Sequence, residues 1–104
     1  MTKLTRFQEK CGVALKKLLR DLGRQPQSWE AVKGRKETYI EAHLGPVKIW
    51  IYEDGACWQG HGRDRVLEAV DYDSLDALAR TFLEEVESAL TQRSGERGPS
   101  PRSL

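Results

Sequence analysis

The chain has 104 residues, a formal net charge of +1 and two cysteines. This length suits one domain that buries a core without disulfides or a structural metal. No apolar run reaches the roughly 18 residues of a membrane span, and the first ten residues, MTKLTRFQEK, lack the apolar core of a signal peptide. Two cysteines are too few for a disulfide framework. We therefore expect a cytoplasmic protein with reduced thiols and no membrane partner.

The charges are unevenly distributed along the chain. Residues 1–24 carry seven basic residues against two acids, whereas residues 71–92 carry six acids against one arginine. A basic stretch favours nucleic-acid binding only when its charges cluster on one surface without acidic neighbours. We interpret the two stretches as solvated helix faces of opposite sign that lie near each other.

The first predicted helix runs from Thr5 to about Leu22. Thr5 and Gln8 have the spacing of a capping box, in which the two side chains bind amides at the helix start. Gly23 supplies the left-handed residue that commonly closes a helix. An apolar stripe at three- and four-residue spacing predicts packing on a sheet. It consists of Leu4, Phe7, Cys11, Ala14, Leu15, Leu18 and Leu22.

The centre of the chain, residues 37–60, predicts three short antiparallel strands joined by two tight turns. Gly45-Pro46 suits the first turn because Gly accepts a positive φ and Pro has a fixed φ. Asp54-Gly55 suits the second, because Asp-Gly is a strong two-residue hairpin signal. Before these strands, residues 28–32 alternate between apolar and polar and predict one further strand.

Two-residue turns would fix which residues pair across the strands. The pairs predicted for the first hairpin are Leu44–Val47, Ala42–Ile49 and Ile40–Ile51. Those predicted for the second are Ile51–Trp58, Tyr52–Cys57 and Trp50–Gln59. Because side chains alternate between the two faces of a sheet, both hairpins assign the same residues to a core face. The core face collects Ile40, Ala42, Leu44, Val47, Ile49, Ile51 and Trp58.

The opposite side of these strands, the mixed face, combines aromatic and polar side chains. It collects Tyr39, Glu41, His43, Lys48, Trp50, Tyr52, Cys57 and Gln59. Three aromatic side chains in one patch, extended by Val66 or Val70, would leave more apolar area in water than a monomer usually exposes. The alternative is that a loop or the end of the chain covers them.

The last third of the chain predicts a turn, a strand and a second helix. The glycines flanking His61 indicate the turn, and residues 65–70 suit a strand beside residues 56–59. Asp73 or Ser74 caps the helix, whose apolar positions are Leu75, Leu78, Ala79, Phe82, Val86 and Leu90. From Arg93 onward the chain has no apolar periodicity, so residues 93–104 are predicted to be a flexible tail.

The predicted fold is therefore α+β, with an N-terminal helix, an antiparallel meander of three to five strands and a C-terminal helix. Both helices are expected on one face of the sheet, within a single compact domain of residues 1–92. The motifs present identify no family.

Catalytic and metal-binding patterns are weak. Glu41 and His43 share the mixed face with Lys48, which is predicted opposite His43. Such a set could support acid–base cleavage of a phosphodiester, although polar residues are ordinary on a wet sheet face. Among the possible zinc ligands, Cys57 and His61 alone are close in sequence. We expect no enzyme activity, no cofactor and no metal.

The aromatic residues of the mixed face indicate binding, because such side chains carry much of the energy of protein interfaces. We expect a small non-enzymatic adaptor, accessory or inhibitor domain that uses this face for homodimerisation or for docking a protein partner. The predicted contact residues are Tyr39, Glu41, His43, Lys48, Trp50 and Tyr52. The less favoured alternative is single-stranded nucleic acid, whose bases would stack on the aromatic rings beside Lys48.

Overall fold

The structure, a computed structural model, describes residues 3–92. Its elements are α1 (Arg6–Asp21), β1 (Ser28–Lys33), β2 (Thr38–Leu44), β3 (Val47–Ile51), β4 (Gly55–Gly60), β5 (Arg63–Glu68), a short 3₁₀ turn (Ala69–Asp71) and α2 (Leu75–Thr91). The five strands pair in chain order as one antiparallel sheet. The α+β prediction is confirmed, including the strand at residues 28–32. The predicted tail lies outside the described residues.

The start of α1 is fixed by a capping box that also ties the helix to the sheet. The Gln8 amide donates to Thr5 Oγ1 at 3.2 Å, and Thr5 donates its own amide to Gln8 Oε1 at 2.8 Å. The other end of the Gln8 side chain, Nε2, donates to the carbonyls of Thr38 (2.7 Å) and Ile51 (3.2 Å). Gln8 is completely buried, so one side chain satisfies polar groups of α1, β2 and β3.

The first hairpin has the predicted register. Gly45 and Pro46 form the turn, with φ +75° at Gly45. Leu44 pairs with Val47, and the pairing continues to Ile40 opposite Ile51. A two-residue turn leaves no freedom in this register, because each strand must start directly at the turn.

The predicted register of the second hairpin is wrong by two residues. Ile51 pairs with Ala56, not Trp58, and Trp50 pairs with Cys57, not Gln59. The turn is formed by Glu53 and Asp54, and the Tyr52 amide closes it by donating to the Gly55 carbonyl at 2.8 Å. Because side chains alternate with a period of two, a two-residue error leaves every side chain on its predicted face.

Gly55 belongs to strand β4 and is needed for close packing of the backbone. A Cβ atom at this position would lie 2.8 Å from the carbonyl oxygen of Leu67 on the neighbouring strand β5. The glycine of the Asp-Gly pair thus permits the approach of β4 to β5 and does not supply a positive φ to the turn.

The β4–β5 hairpin turns at His61 and Gly62, whose φ angles are +53° and +73°. Positive φ at both central residues is the geometry of a type I′ turn. The His61 ring also donates from Nε2 to the carbonyl of Ala89 at 2.8 Å. This bond ties the tip of the hairpin to the C-terminal part of α2.

Both helices pack on the predicted core face of the sheet. All seven residues assigned to that face are buried, and the predicted apolar stripes of α1 and α2 contribute buried and partly buried residues to the same core. Leu75 at the start of α2 is the exception among these stripe residues, since it is 36% exposed. The two helices also contact each other through a salt bridge from Lys10 Nζ to Asp76 Oδ1 at 2.8 Å, so the basic and acidic helix faces are neighbours as expected.

A polar cluster joins α2 to the core side of the sheet. Glu85 accepts hydrogen bonds from Trp58 Nε1 at 2.9 Å and from Arg65 at 2.9 and 2.6 Å. The Arg65 hydrogen bond is the main reason that the pKa of Glu85 lies below its usual range.

Ser74 caps α2 by accepting a hydrogen bond from the Ala77 amide at 3.1 Å.

We predict that Gly55→Ala destabilises the protein by about 1–3 kcal/mol, because the new methyl group meets backbone atoms that cannot move independently. Gly45→Asn is the control, since Asn tolerates a positive φ and nothing lies within 4 Å of a Cβ atom there. Urea denaturation measures both. Equal stability of Gly55→Ala and the wild type would contradict the role given to Gly55.

We also predict that Gln8→Leu lowers the free energy of unfolding by about 2 kcal/mol or more, because it leaves two strand carbonyls and the Thr5 amide without their partner. Gln25→Leu, at an exposed position of the α1–β1 connector, should change it by less than about 0.5 kcal/mol. A similar loss in both variants would show that the bridge does not stabilise the fold.

Candidate interaction surface

The side of the sheet that faces away from both helices is here called the outer face. Its strand residues follow from the observed registers. They are Ser28, Glu30, Val32, Tyr39, Glu41, His43, Lys48, Trp50, Tyr52, Cys57, Gln59, Asp64, Val66 and Glu68. All eight residues of the predicted mixed face are among them. Within residues 3–92 no helix lies on this side.

Aromatic rings occupy the middle strands of the outer face. Tyr39 and Tyr52 are neighbours, with ring centroids 5.2 Å apart and ring planes tilted by 42°. Trp50 lies under the Lys48 ammonium, which is 5.1 Å from its ring centroid. All three rings are half-buried: the two tyrosine rings shield each other, and Lys48 lies over Trp50. Their remaining surfaces are open to a ligand.

Two valines extend the apolar surface toward one edge of the sheet. Val66 on β5 is 64% exposed, and Val70 in the 3₁₀ turn is 84% exposed. Val66 pairs with Cys57, which in turn pairs with Trp50. The apolar surface therefore runs from the centre of the outer face to its β5 edge, as the sequence suggested for these two valines.

The residues considered for acid–base chemistry lie together on the outer face. Lys48 Nζ is 3.3 Å from Glu41 Oε2, and His43 pairs with Lys48 across the strands and is exposed. Lys48 thus lies between the Glu41 carboxylate and the Trp50 ring. Its ammonium group offsets the negative charge of Glu41 and helps to position the Trp50 ring. The geometry thus gives Lys48 an ordinary structural role.

The outer face is strongly acidic, and sequence reasoning found only part of this: it identified Lys48 as the one cation and Glu41 as an acid among the aromatic residues, but not the acids of the edge strands. Its strands present four carboxylates and a single cation, Lys48. The four acids are Glu30, Glu41, Asp64 and Glu68. Glu30 lies directly opposite Glu41, a like-charge pairing that is unfavourable unless a cation offsets it. The excess became visible only when the registers of β1 and β5 placed their acids beside the aromatic rings.

An open depression of about 450 Å³ lies at the end of the outer face next to the β3–β4 turn. Tyr52, Val66 and Val70 line it with apolar surface. Three carboxylates line it as well, those of Glu37, Asp54 and Glu68, and its lining includes no Lys, Arg or His. The depression therefore combines exposed apolar groups with negative charge.

The two cysteines are free and lie on opposite sides of the sheet. Cys11 is buried in the core, and burial raises its pKa to about 12. Cys57 lies half-buried on the outer face, where burial is the largest cause of its raised pKa and a hydrogen bond with Tyr52 partly opposes that rise. Neither thiol is activated as a nucleophile.

Residues 3–92 include no group of three or more His, Cys, Asp or Glu side chains placed to hold a metal ion. Among the helices of this part of the chain, none has the length and apolarity needed to cross a bilayer.

We predict that iodoacetamide at neutral pH modifies Cys57 more slowly than it modifies glutathione, because the raised pKa reduces the thiolate fraction. Cys11 should react only when the protein unfolds, since it is completely buried. Mass spectrometry over time resolves the two sites, with Cys57→Ser as the control for Cys11. If Cys11 were modified before Cys57, Cys57 would not lie on an accessible outer face.

Comparison with known proteins supplies no identity for the chain: no family model, no curated protein and no solved structure matches it. Its function has to be inferred from the geometry and charge of the outer face.

Proposed function

We propose that this chain is a small non-enzymatic protein-binding domain that docks a partner on the outer face of its sheet. The observation that carries the proposal is the aromatic surface around Trp50 and Tyr52, on the side of the sheet opposite both helices. It continues into Val66 and Val70, which are 64% and 84% exposed. An apolar patch of this kind, rimmed by polar residues, is typical of a protein interaction site.

The composition of the outer face suits a protein partner. Tyr and Trp offer large rigid surfaces with a polar end and are enriched at the energetically dominant positions of interfaces. Tyr39, Trp50 and Tyr52 occupy the centre, whereas charged side chains such as Glu30 and Asp64 lie on the edge strands β1 and β5. An apolar centre within a polar rim is the usual anatomy of a protein interface.

The charge of the outer face argues against the nucleic-acid alternative. Binding of a single strand needs cations that neutralise phosphates along its path. Lys48 is the single lysine or arginine among the strand residues of this face, and Glu41 already pairs with it. The carboxylates of Glu30, Asp64 and Glu68 would repel a phosphate backbone.

The same charge favours a different protein over a second copy of the chain. In a homodimer formed face to face, two acidic surfaces would approach each other, and like charges across an interface are costly. Docking of another protein carries no such penalty. We therefore place partner docking ahead of homodimerisation.

The test compares three full-length proteins as bait in quantitative pull-downs with chemical cross-linking. They are the wild type, Trp50→Ala/Tyr52→Ala and Val13→Ser. Val13 is 70% exposed on α1, on the other side of the sheet. We expect a protein that the wild type and Val13→Ser retain equally and that the double variant loses by about tenfold or more, because two central aromatic contacts are removed.

Light scattering over a concentration series accompanies this test, and circular dichroism confirms that each variant is folded. A wild-type monomer is the expected result. A dimer that only Trp50→Ala/Tyr52→Ala converts to a monomer would assign the outer face to self-association. Equal retention of every captured protein by all three baits would refute the proposal.

A further inference from the structure

The depression at the end of the outer face contains features that specify a partner's chemistry. The inference drawn from it rests on the proposed function, since it concerns the partner that docks there. Val66 and Val70 are both strongly exposed, and both line this depression together with the Tyr52 ring. Burying an aliphatic side chain against such groups is favourable by roughly 25 cal/mol per Å² of apolar area. The depression therefore suits one apolar side chain of a partner.

Carboxylates surround this apolar surface. Asp54 lies at the tip of the β3–β4 turn, Glu68 ends β5, and Glu37 precedes β2. The Glu37 carboxylate accepts a hydrogen bond from the Glu53 amide at 2.9 Å, which fixes its position at this end of the sheet. The carboxylates of Asp54 and Glu68 make no side-chain hydrogen bond or salt bridge within residues 3–92. Their charges are available to a ligand.

The acidic character continues across the rest of the outer face. Glu30 and Glu41 lie opposite each other, and Lys48 contacts only the second of them. Asp64 adds a further acid beside Gln59. A partner that brings cations to this face would offset the repulsion between Glu30 and Glu41, whereas an acidic or phosphate-bearing partner would increase it.

We propose that the depression binds a basic segment of a partner protein, in which an apolar side chain is flanked by lysine or arginine. The apolar side chain packs against Tyr52, Val66 and Val70. The flanking cations pair with Asp54 and Glu68 at its rim. Both halves of this partner's chemistry are complementary to groups that line a single depression.

The test uses a fluorescein-labelled peptide with the sequence Lys-Lys-Leu-Lys-Lys and the full-length protein, with anisotropy as the readout. The matched probes replace leucine with serine, or the lysines with glutamates, and an oligothymidine tests for nucleic acid. We expect saturable binding of the first peptide below about 1 mM and about tenfold weaker binding of the serine peptide, because the leucine no longer adds apolar burial. Binding should weaken as ionic strength rises and the Debye length falls from about 30 to about 8 Å.

Protein variants locate the site. Asp54→Asn/Glu68→Gln should weaken peptide binding about fivefold and reduce its salt dependence, because two cation partners are lost. Val66→Ser/Val70→Ser should reduce the preference for leucine over serine. Glu9→Gln/Glu87→Gln removes the same number of charges from exposed positions on the two helices and should leave binding unchanged.

Several results would overturn the proposal. These are absence of binding at about 1 mM peptide, equal binding of the leucine and serine peptides, preference for the glutamate peptide or oligothymidine, and equal effects of the two charge-removing variants.

Amide chemical shifts provide two further tests. Shift changes confined to α2 on addition of the peptide would place its binding site elsewhere and contradict the proposal. Shift changes at Tyr52 and Val66 in the variant Arg93→Ser/Arg97→Ser/Arg102→Ser would also contradict it, because the chain's own C-terminal residues would then occupy the depression.

The two proposals fail in different ways. Loss of a captured protein by Trp50→Ala/Tyr52→Ala, together with no binding of the basic peptide, would overturn the partner chemistry and leave protein docking in place. A dimer whose formation depends on Val66 and Val70 would overturn both, because a second copy would then occupy the depression.

Discussion

The alternation of side chains across the sheet is the constraint on which the rest of the structure depends. Once Gly45 and Pro46 set the pairing of Leu44 with Val47, every residue of the central strands is assigned to one side or the other. The apolar residues and Trp58 fall on the side that both helices cover, whereas Tyr39, Trp50 and Tyr52 fall with polar residues on the side where no helix lies within residues 3–92. One turn thus separates the folding surface of this protein from its candidate binding surface.

The helix side of the sheet is held by polar contacts as well as by apolar packing. Gln8 fixes the start of α1 to β2 and β3, Glu85 joins α2 to Trp58 and Arg65, and His61 binds the C-terminal part of α2. Each of these side chains has its partners within the fold. Within residues 3–92 the outer face differs, because its valines, several of its carboxylates and the exposed parts of its rings have no such partners. Among the described residues, packing and hydrogen bonding are thus concentrated on the helix side of the sheet.

The charges are divided between the two sides of the molecule. The chain as a whole is nearly neutral, with a net charge of +1, yet the strand residues of the outer face carry four acids against Lys48. The compensating basic residues lie elsewhere, above all on α1, where Lys10 pairs with Asp76 of α2. Net charge therefore says little about recognition by this protein. The separation of charges in space is the reason for proposing a basic partner for the outer face ahead of nucleic acid or a second copy of that face.

The sequence by itself determined the order of helices and strands, the capping box at Thr5, the register of the first hairpin and the division of the central residues between two faces. These follow from local geometry and from the period of two. Tertiary structure decided what depends on contacts between distant segments. Gly55 fits the close approach of Leu67 instead of making the turn, so the second hairpin shifts by two residues. Glu30 and Glu68 reach the aromatic surface only through the pairing of the edge strands, because no local pattern encodes which strand lies beside which.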